Sequence, residues 1–314
     1  MIYWGINALN HGSSIAVFKD DEYQFTTISN DDELPRSVIN NVLIHGSPNH
    51  IFWYENPWMK KARQLYAGQY NTALDMNVLP SRYLKREKIN YKKLTYTPHH
   101  ASHAASGYYT SPFNHCAVVV LDAIGEFECA SIWEGKHGEL RKVWHRNYPN
   151  SLGLFYSAFT KLIGLEPIKQ EHLLQQMSSL GDPKRYYNEV KSYVNYTIKL
   201  TKNLHRGVTD WPYDINTEQD RNDIAAAVQL VFENQVSAVM LKARQLIDTD
   251  SLVYMGGCAM NSKANEYEVK AWKYVWSLPN PGDPSSSIGA VLYHTKQRVW
   301  RNDWAPVKHI QIKF

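Results

Sequence analysis

Hydrophobic and polar positions change their period several times along the chain, and each change marks a predicted element. Near the amino terminus, apolar runs broken by polar turns predict three antiparallel strands at residues 2–8, 14–18 and 23–28. Residues 31–92 show no steady period and contain repeated prolines, so they are predicted to be helical and irregular.

The rest of the chain alternates between strand and helix patterns. Short β-prone or apolar runs predict strands at residues 94–97, 115–122, 129–133, 251–255 and 274–278. Helices are predicted to begin at Pro98 and to cover residues 151–163, 185–203, 223–247 and 285–294. A further helix is expected after the Gly256-Gly257 turn. The sequence shows no internal repeat.

Length and composition indicate an ordinary soluble protein. The 314 residues suffice for one large or two medium lobes, and 44% hydrophobic with 20% charged residues is typical of globular chains. The formal net charge of +4 permits a phosphorylated or nucleic-acid partner without requiring one. No apolar run of ~20 residues is found, so no membrane partner is expected. Three widely spaced cysteines without a CxxC pair favour a reducing cytoplasm.

Three histidines lie together at the start of the predicted helix after Pro98. His99 and His103 are four residues apart, so on a helix they share a face and could hold a divalent metal. His100 points ~100° away from His99 around the helix and is expected to be structural. Capping or surface histidines remain the alternative to a metal site.

Several turns have the composition of phosphate or metal sites. The turn that contains His11, Ser13 and Ser14, the strand end at Asp122 and the Gly256-Gly257 pair could each bring backbone amides to a phosphate. Asp283 lies at the predicted start of the last helix, where it could cap the helix or complete a metal site. Ordinary hairpins and helix entries explain the same compositions.

Taken in order, seven stretches resemble the carbamoyltransferase family that includes nodulation-factor and antibiotic O-carbamoyltransferases. The amino-terminal part of that family is similar to the proteins that transfer threonylcarbamoyl to tRNA. The matching stretches span nearly the whole chain: Gly5-Ile6-Asn7 with His11-Gly12-Ser13-Ser14, His99-His100-Ala101-Ser102-His103-Ala104, Asp122 with Gly125-Glu126, Ser151-Leu152-Gly153-Leu154-Phe155-Tyr156-Ser157, Ile224-Ala225-Ala226-Ala227-Val228-Gln229, Gly256-Gly257-Cys258-Ala259-Met260-Asn261, and Gly282-Asp283-Pro284 with Ile288-Gly289-Ala290.

The resemblance implies an α/β protein with the two-lobed ATPase fold of actin, Hsp70 and sugar kinases, and an active site in the interlobe cleft. The amino-terminal lobe is expected to cover residues 1–148 and to carry the histidine motif. Residues 149–314 are expected to form the second lobe, with the Gly-Gly loop and Asp283.

The same resemblance implies the residues of the site. The metal, Fe(II) with Zn or Mn as alternatives, is expected on His99, His103 and Asp283. Catalytic roles are expected for His11, His99 and His103; His11 would contact the carbamoyl group or act as the base for the acceptor hydroxyl. The nucleotide, ATP, is expected to contact a set of loop residues: Ser13, Ser14, Asp122, Gly125, Glu126, Gly256, Gly257 and Asn261.

The implied reaction is O-carbamoyl transfer from carbamoyl adenylate, made from carbamoyl phosphate and ATP, to an acceptor hydroxyl. Relatives carry a further carboxy-terminal domain that forms the adenylate. The chain lacks it, so a separate adenylate-forming protein is an expected partner, unless the cleft activates the donor itself. The compact length resembles viral members, which would act in the host cytoplasm.

The acceptor is then expected to be a hydroxymethylated pyrimidine nucleotide or DNA, with a sugar or antibiotic hydroxyl as the alternative. A tRNA threonylcarbamoyltransferase-like enzyme and a nucleotide-binding scaffold subunit are the competing functions.

Overall fold

Two five-stranded sheets organise the chain. The computed structural model describes residues 1–301 and 304, and for residues 267–271 it describes the backbone alone. The remaining positions of the expected second lobe, 302, 303 and 305–314, lie outside the described residues.

The first sheet is formed by residues 2–96. Its elements in chain order are β1 (Ile2–Asn10), β2 (Gly12–Lys19), β3 (Glu22–Ser29), α1 (Arg36–Leu43), β4 (His50–Trp53), α2 (Pro57–Tyr66), α3 (Tyr70–Leu74), α4 (Pro80–Arg86) and β5 (Lys93–Tyr96). The first three strands are antiparallel, as the alternation predicted. β4 and β5 continue the sheet in parallel with β1. The prediction for residues 31–92 missed β4 because a strand of four residues, three of them buried, is too short to show a period.

The central part of the chain joins the two sheets. It contains α5 (His99–Thr110), β6 (His115–Gly125), β7 (Glu128–Lys136), β8 (Glu139–Asn147), α6 (Leu152–Leu162), α7 (Glu171–Met177), α8 (Tyr187–Lys191), β9 (Val194–Asn195) and β10 (Lys199–Leu200). α6 begins at the predicted cap, where the Ser151 hydroxyl accepts the amide of Leu154. The helix predicted over 185–203 is confirmed only as far as α8. Beyond it the prediction is wrong, because β9 and β10 pair around Thr197 and Ile198, both of which have positive φ.

The last part completes the second sheet. It contains α9 (Glu218–Leu246), β11 (Ser251–Met255), α10 (Ser262–Ala271), β12 (Tyr274–Trp276) and α11 (Ser286–Thr295). By length and composition α9 could cross a membrane, although no apolar run long enough to do so was expected from the sequence. However, 72% of its most apolar window is buried inside the protein. The helix therefore packs as the core helices of soluble proteins do.

Both sheets have the same topology, although the sequence showed no repeat. The order β3-β2-β1-β4-β5 in the first sheet corresponds to β8-β7-β6-β11-β12 in the second. β11 pairs in parallel with β6, so the expected boundary between residues 148 and 149 falls within the part of the chain that forms one sheet. The change from the first sheet to the second occurs between β5 and β6, across α5.

The two helices that follow the last strand of each sheet, α5 and α11, cross each other closely. A Cβ at Gly289 would lie 1.8 Å from the carbonyl oxygen of Ser102 and 2.4 Å from the hydroxyl of Ser106. Only a glycine permits this approach. The crossing brings the amino-terminal ends of both helices to the same cleft.

Candidate functional site

Four buried or nearly buried side chains meet in that cleft. His99 and His103 project from successive turns of α5, Asp122 from β6, and Asp283 from the short 3₁₀ turn Asp283–Ser285 that leads into α11. One nitrogen or oxygen atom of each lies within 4.8 Å of the corresponding atoms of the others. The expected trio of His99, His103 and Asp283 therefore meets, and Asp122 joins it.

The distances within the cluster are short. The two imidazole Nε2 atoms are 3.1 Å apart, and Oδ2 of Asp122 lies 3.2 Å from that of His99 and 3.1 Å from that of His103. Oδ1 of Asp283 lies 3.3 Å from His99 Nε2 and 3.2 Å from His103 Nε2. Both imidazoles thus direct the same ring nitrogen at one point between the carboxylates.

Small residues and hydrogen bonds fix these side chains. A Cβ at Gly125 would lie 2.4 Å from Cδ2 of His99, so glycine leaves the room for the ring. The hydroxyl of Ser286 lies 3.2 Å from Nδ1 of His103, which directs Nε2 towards the cluster. The amide of Asn10 donates to Oδ2 of Asp283 at 3.2 Å. Each of these contacts comes from a different element.

The charges in the cluster stabilise one another. Burial opposes ionisation of His99, yet Asp283, and then Asp122 and Glu55, hold its pKa well above the usual value. Burial likewise opposes the charge on Asp122, but hydrogen bonds from His103 and His99 hold the pKa of that carboxyl well below its usual range. Although its burial acts in the opposite direction, His99 and His103 also hold the pKa of Asp283 below its usual range. The carboxylates therefore stay ionised and need positive charge beside them.

This arrangement fits a divalent cation. The two imidazole nitrogens face each other at 3.1 Å, and they cannot both donate a proton to one another. Both can, however, donate a lone pair to one ion placed between them. Two nitrogens and two carboxylate oxygens form a donor set that iron, zinc and manganese accept.

Two acidic residues near the cluster complete its surroundings, and sequence reasoning missed the first. Glu55 follows β4 directly, and its Oε2 lies 3.6 Å from Nδ1 of His99. Glu126, expected at the nucleotide, accepts a hydrogen bond from the backbone amide of Asn56, and burial raises its pKa to about 7. The available signal for Glu55 was an acid at the carboxyl end of a buried parallel strand, where α/β sheets place their sites.

The three expected site residues in the turn between β1 and β2 differ in burial and in their contacts. Its His11 is exposed, while Ser13 and Ser14 are fully buried. The Ser14 hydroxyl donates to the carbonyl of Pro284 at 2.7 Å and so holds the turn of Asp283. The hydroxyl of Ser13 has no hydrogen-bond partner among the described residues. Ser14 is therefore occupied in positioning Asp283.

The Gly-Gly loop after β11 approaches the same cluster. Gly256 has φ of +94°, and a Cβ there would lie 2.2 Å from the carbonyl oxygen of Leu121. A Cβ at Gly257 would lie 3.1 Å from Oδ1 of Asp122, so the loop runs beside that carboxylate. Asn261, expected at the nucleotide, exchanges hydrogen bonds of 2.9 and 3.1 Å with Gln229. That exchange fixes the end of the loop.

Comparison with known proteins identifies relatives of this chain. The family model described as "Carbamoyltransferase N-terminus" matches residues 30–292. An uncharacterized protein of Synechocystis is 28% identical, over 92% of this chain and 56% of its own length. The nodulation protein NolNO of Sinorhizobium fredii is 22% identical, over 70% of this chain and 34% of its own. The chain thus spans about half, or less, of the length of these relatives.

Among the solved structures similar to this chain, that of HypF supports the fold. Full-length HypF, in a phosphate- and nucleotide-bound form, superposes with a TM-score of 0.50 at 11% identity, over 94% of this chain and 55% of that one. Component A of (R)-2-hydroxyglutaryl-CoA dehydratase from Acidaminococcus fermentans gives 0.48 at 11% identity, over 94% of this chain and 99% of that one. The expected two-lobed α/β fold of the actin, Hsp70 and sugar-kinase type is confirmed. Because the family model covers most of the chain, the protein belongs to the carbamoyltransferase amino-terminal family.

Proposed function

We propose that this chain holds the transfer site of an O-carbamoyltransferase. The observation that carries the proposal is the buried cluster of His99, His103, Asp122 and Asp283, to which α5, β6 and the 3₁₀ turn before α11 contribute. A reactive carbamoyl group needs a site that excludes water, and the cluster lies where the two halves of the molecule meet.

The cluster is proposed to hold Fe(II), with Zn and Mn as alternatives. His99, His103 and Asp283 are the expected ligands, and the geometry favours Asp122 as a fourth rather than as a nucleotide contact. When bound, the metal would supply Lewis acidity to the carbamoyl carbonyl. Because the imidazole and carboxylate side chains are fixed, they would hold the metal position in place before the substrate binds.

The donor is proposed to be carbamoyl adenylate, with the nucleotide in the same cleft. The Gly256-Gly257 loop supports this, because it passes beside Asp122 and brings backbone next to the cluster. The HypF structure of the same fold was obtained with phosphate and nucleotide bound, which supports a nucleotide role. A separate protein, or a part of a longer polypeptide, would form the adenylate from ATP and carbamoyl phosphate.

In the transfer step, the acceptor oxygen forms a bond to the carbamoyl carbon while the bond from that carbon to the phosphate oxygen breaks. AMP leaves with the bonding pair, and the acceptor hydroxyl must lose its proton. His11 is proposed as the base because it is exposed and follows Asn10, which contacts Asp283.

The acceptor is proposed to be a hydroxymethylated pyrimidine nucleotide or DNA. The support is the net charge of +4, which suits a phosphorylated acceptor.

The test uses purified protein with His103→Ala. We expect this variant to lose bound metal and carbamoyl transfer together, by more than the 10–100-fold typical of an outer-shell change. His115→Ala is the matched control, since His115 pairs with Glu134 on the second sheet, away from the cluster. Metal is measured by mass spectrometry, and transfer by the mass gain of one carbamoyl unit on a hydroxymethyl nucleoside with synthetic carbamoyl adenylate.

The outcomes separate the competing functions. Full activity in a His103→Ala protein without metal would refute the metal role. Modification of tRNA but not of the nucleoside would favour the threonylcarbamoyl function, and nucleotide binding without transfer to either would favour a scaffold subunit.

A further inference from the structure

A buried acid, Glu55, lies behind the cluster. Glu55 is 5% exposed and follows β4, the parallel neighbour of β1. Its Oε1 lies 2.6 Å from Nζ of Lys60, which balances the charge. Its Oε2 lies on the other side, 3.6 Å from Nδ1 of His99.

His99 lacks a partner for that nitrogen. Nδ1 of His99 is buried and has no hydrogen-bond partner among the described residues, whereas Nε2 faces the cluster. A buried ring N–H without an acceptor is destabilising, so such groups are almost always paired. Glu55 supplies the nearest carboxylate.

The backbone around Glu55 is held on both sides. The carbonyl of Tyr54 accepts the hydroxyl of Ser102 at 2.7 Å, on the same helix as His99. The amide of Asn56 donates to the carboxylate of Glu126 on the second sheet. The carboxylate is therefore preorganised relative to α5 and to the β6–β7 turn.

We propose that Glu55 is a positioning residue that accepts the Nδ1 proton of His99 when the cluster holds a divalent cation. A proton fixed on Nδ1 leaves the lone pair on Nε2 for the metal and increases its basicity. The present distance of 3.6 Å exceeds a hydrogen bond, so the proposal requires the two side chains to move closer when the cation binds. This inference rests on the metal role proposed above.

A simpler role for Glu55 is that of an ion-pair partner for Lys60. The two roles differ in what removal of Lys60 does, because Lys60→Met abolishes the pair but keeps the acceptor for His99. A role limited to the ion pair predicts equal losses of metal affinity in Lys60→Met and in Glu55 variants. The positioning role predicts a loss in the Glu55 variants alone.

The experiment measures Co(II) affinity by titration of the visible absorption of the bound ion. We expect Glu55→Met to bind Co(II) about 10–100-fold more weakly than wild type, as loss of an outer-shell acceptor does. Glu55→Gln keeps a neutral acceptor and should fall between the two, while Lys60→Met should stay near wild type. Glu134→Gln, which removes the carboxylate beside His115, is the matched control and should not change the affinity.

A second readout is the tautomer of His99, followed by ¹⁵N NMR of the Zn-loaded protein. We expect Nδ1 to carry the proton in wild type and the resonance to shift in Glu55→Met. Unchanged Co(II) affinity in folded Glu55→Met would overturn the Glu55 inference alone. No Co(II) binding by wild type would overturn the proposed metal site and this inference with it.

Discussion

At the scale of single residues, the glycines that leave space for the site are as important as the side chains that form it. His99 fits against Gly125 with no room for a methyl group, and Gly257 runs beside Asp122, where a Cβ at 3.1 Å from Oδ1 would be a tight contact. Ser286 and Asn10 then direct one ring nitrogen and one carboxylate towards the centre. Small neighbours thus determine the geometry that the four polar side chains display.

Substitution of Gly125 by alanine should disturb the cluster directly. The new Cβ would lie 2.4 Å from His99 Cδ2, so the ring must move and Nε2 leaves its position. We expect about 1–3 kcal/mol lower unfolding free energy in urea and a clear loss of Co(II) affinity.

Gly135→Ala is the matched control for that prediction. A Cβ at Gly135 would lie 2.5 Å from the ring of Tyr108, a similar crowding away from the cluster. Its stability should fall by a similar amount while its Co(II) affinity stays that of wild type. Equal metal affinities in the two alanine variants would contradict the role assigned to Gly125.

At the scale of elements, the crossing of α5 and α11 is the feature that assembles the site. His99 and His103 lie in the first two turns of α5, and Asp283 precedes α11 by a single 3₁₀ turn. Ser102 and Ser106 on α5 face Gly289 on α11, so the two axes approach closely. The distance between the imidazoles and the Asp283 carboxylate follows from this packing.

Gly289→Ala tests the crossing. The added methyl group would lie 1.8 Å from the Ser102 carbonyl, which cannot move without moving the helix. We expect a loss of stability at or above the ~1–3 kcal/mol typical of overpacking. Co(II) affinity should fall as well, because Asp283 moves away from the histidines.

A double variant that removes part of the crowding around the introduced alanine provides the control. In Gly289→Ala combined with Ser106→Ala, the hydroxyl at 2.4 Å is removed but the Ser102 carbonyl at 1.8 Å remains. That hydroxyl also donates to the carbonyl of Ser285 at 2.6 Å, so its removal costs a buried hydrogen bond. At most a partial recovery of stability is therefore expected. A Gly289→Ala protein with wild-type unfolding and metal affinity would show that the helices are free to separate.

At the scale of the whole molecule, both sheets contribute to one site. α5 follows the first sheet, whereas β6 belongs to the second sheet and the loop of Asp283 follows its edge strand β12. A cation bound by all four residues therefore connects the two halves of the molecule. Since the unfolded chain cannot offer this arrangement, binding should stabilise the folded state.

Metal should accordingly raise the thermal unfolding temperature. At a free concentration of 100 times Kd, binding adds about 2.7 kcal/mol to the free energy of unfolding, which corresponds to a rise of several degrees. The measurement compares the chelator-treated protein with and without added Co(II) by circular dichroism. His103→Ala should show no rise, and an equal rise in that variant would place the ion elsewhere.

The sequence by itself determined most of the elements and the family. The alternation in residues 2–28, the cap at Ser151 and the four-residue spacing of His99 and His103 are local patterns, so the strands and helices they predicted were confirmed. The short strand β4 and the hairpin of β9 and β10 were not predicted, because pairing with distant strands or turns stabilises them.

Only the tertiary structure decided which residues share the site. Asp122 and Asp283 are 161 positions apart in the numbering, and no local pattern records that both meet His103 at 3.1 and 3.2 Å. The placement of Glu55 behind His99 depends on the parallel pairing of β4 with β1 and β5, and on contacts to Ser102 and Glu126. Periodicity reports which face of an element is buried, whereas the packing of elements determines what that face meets.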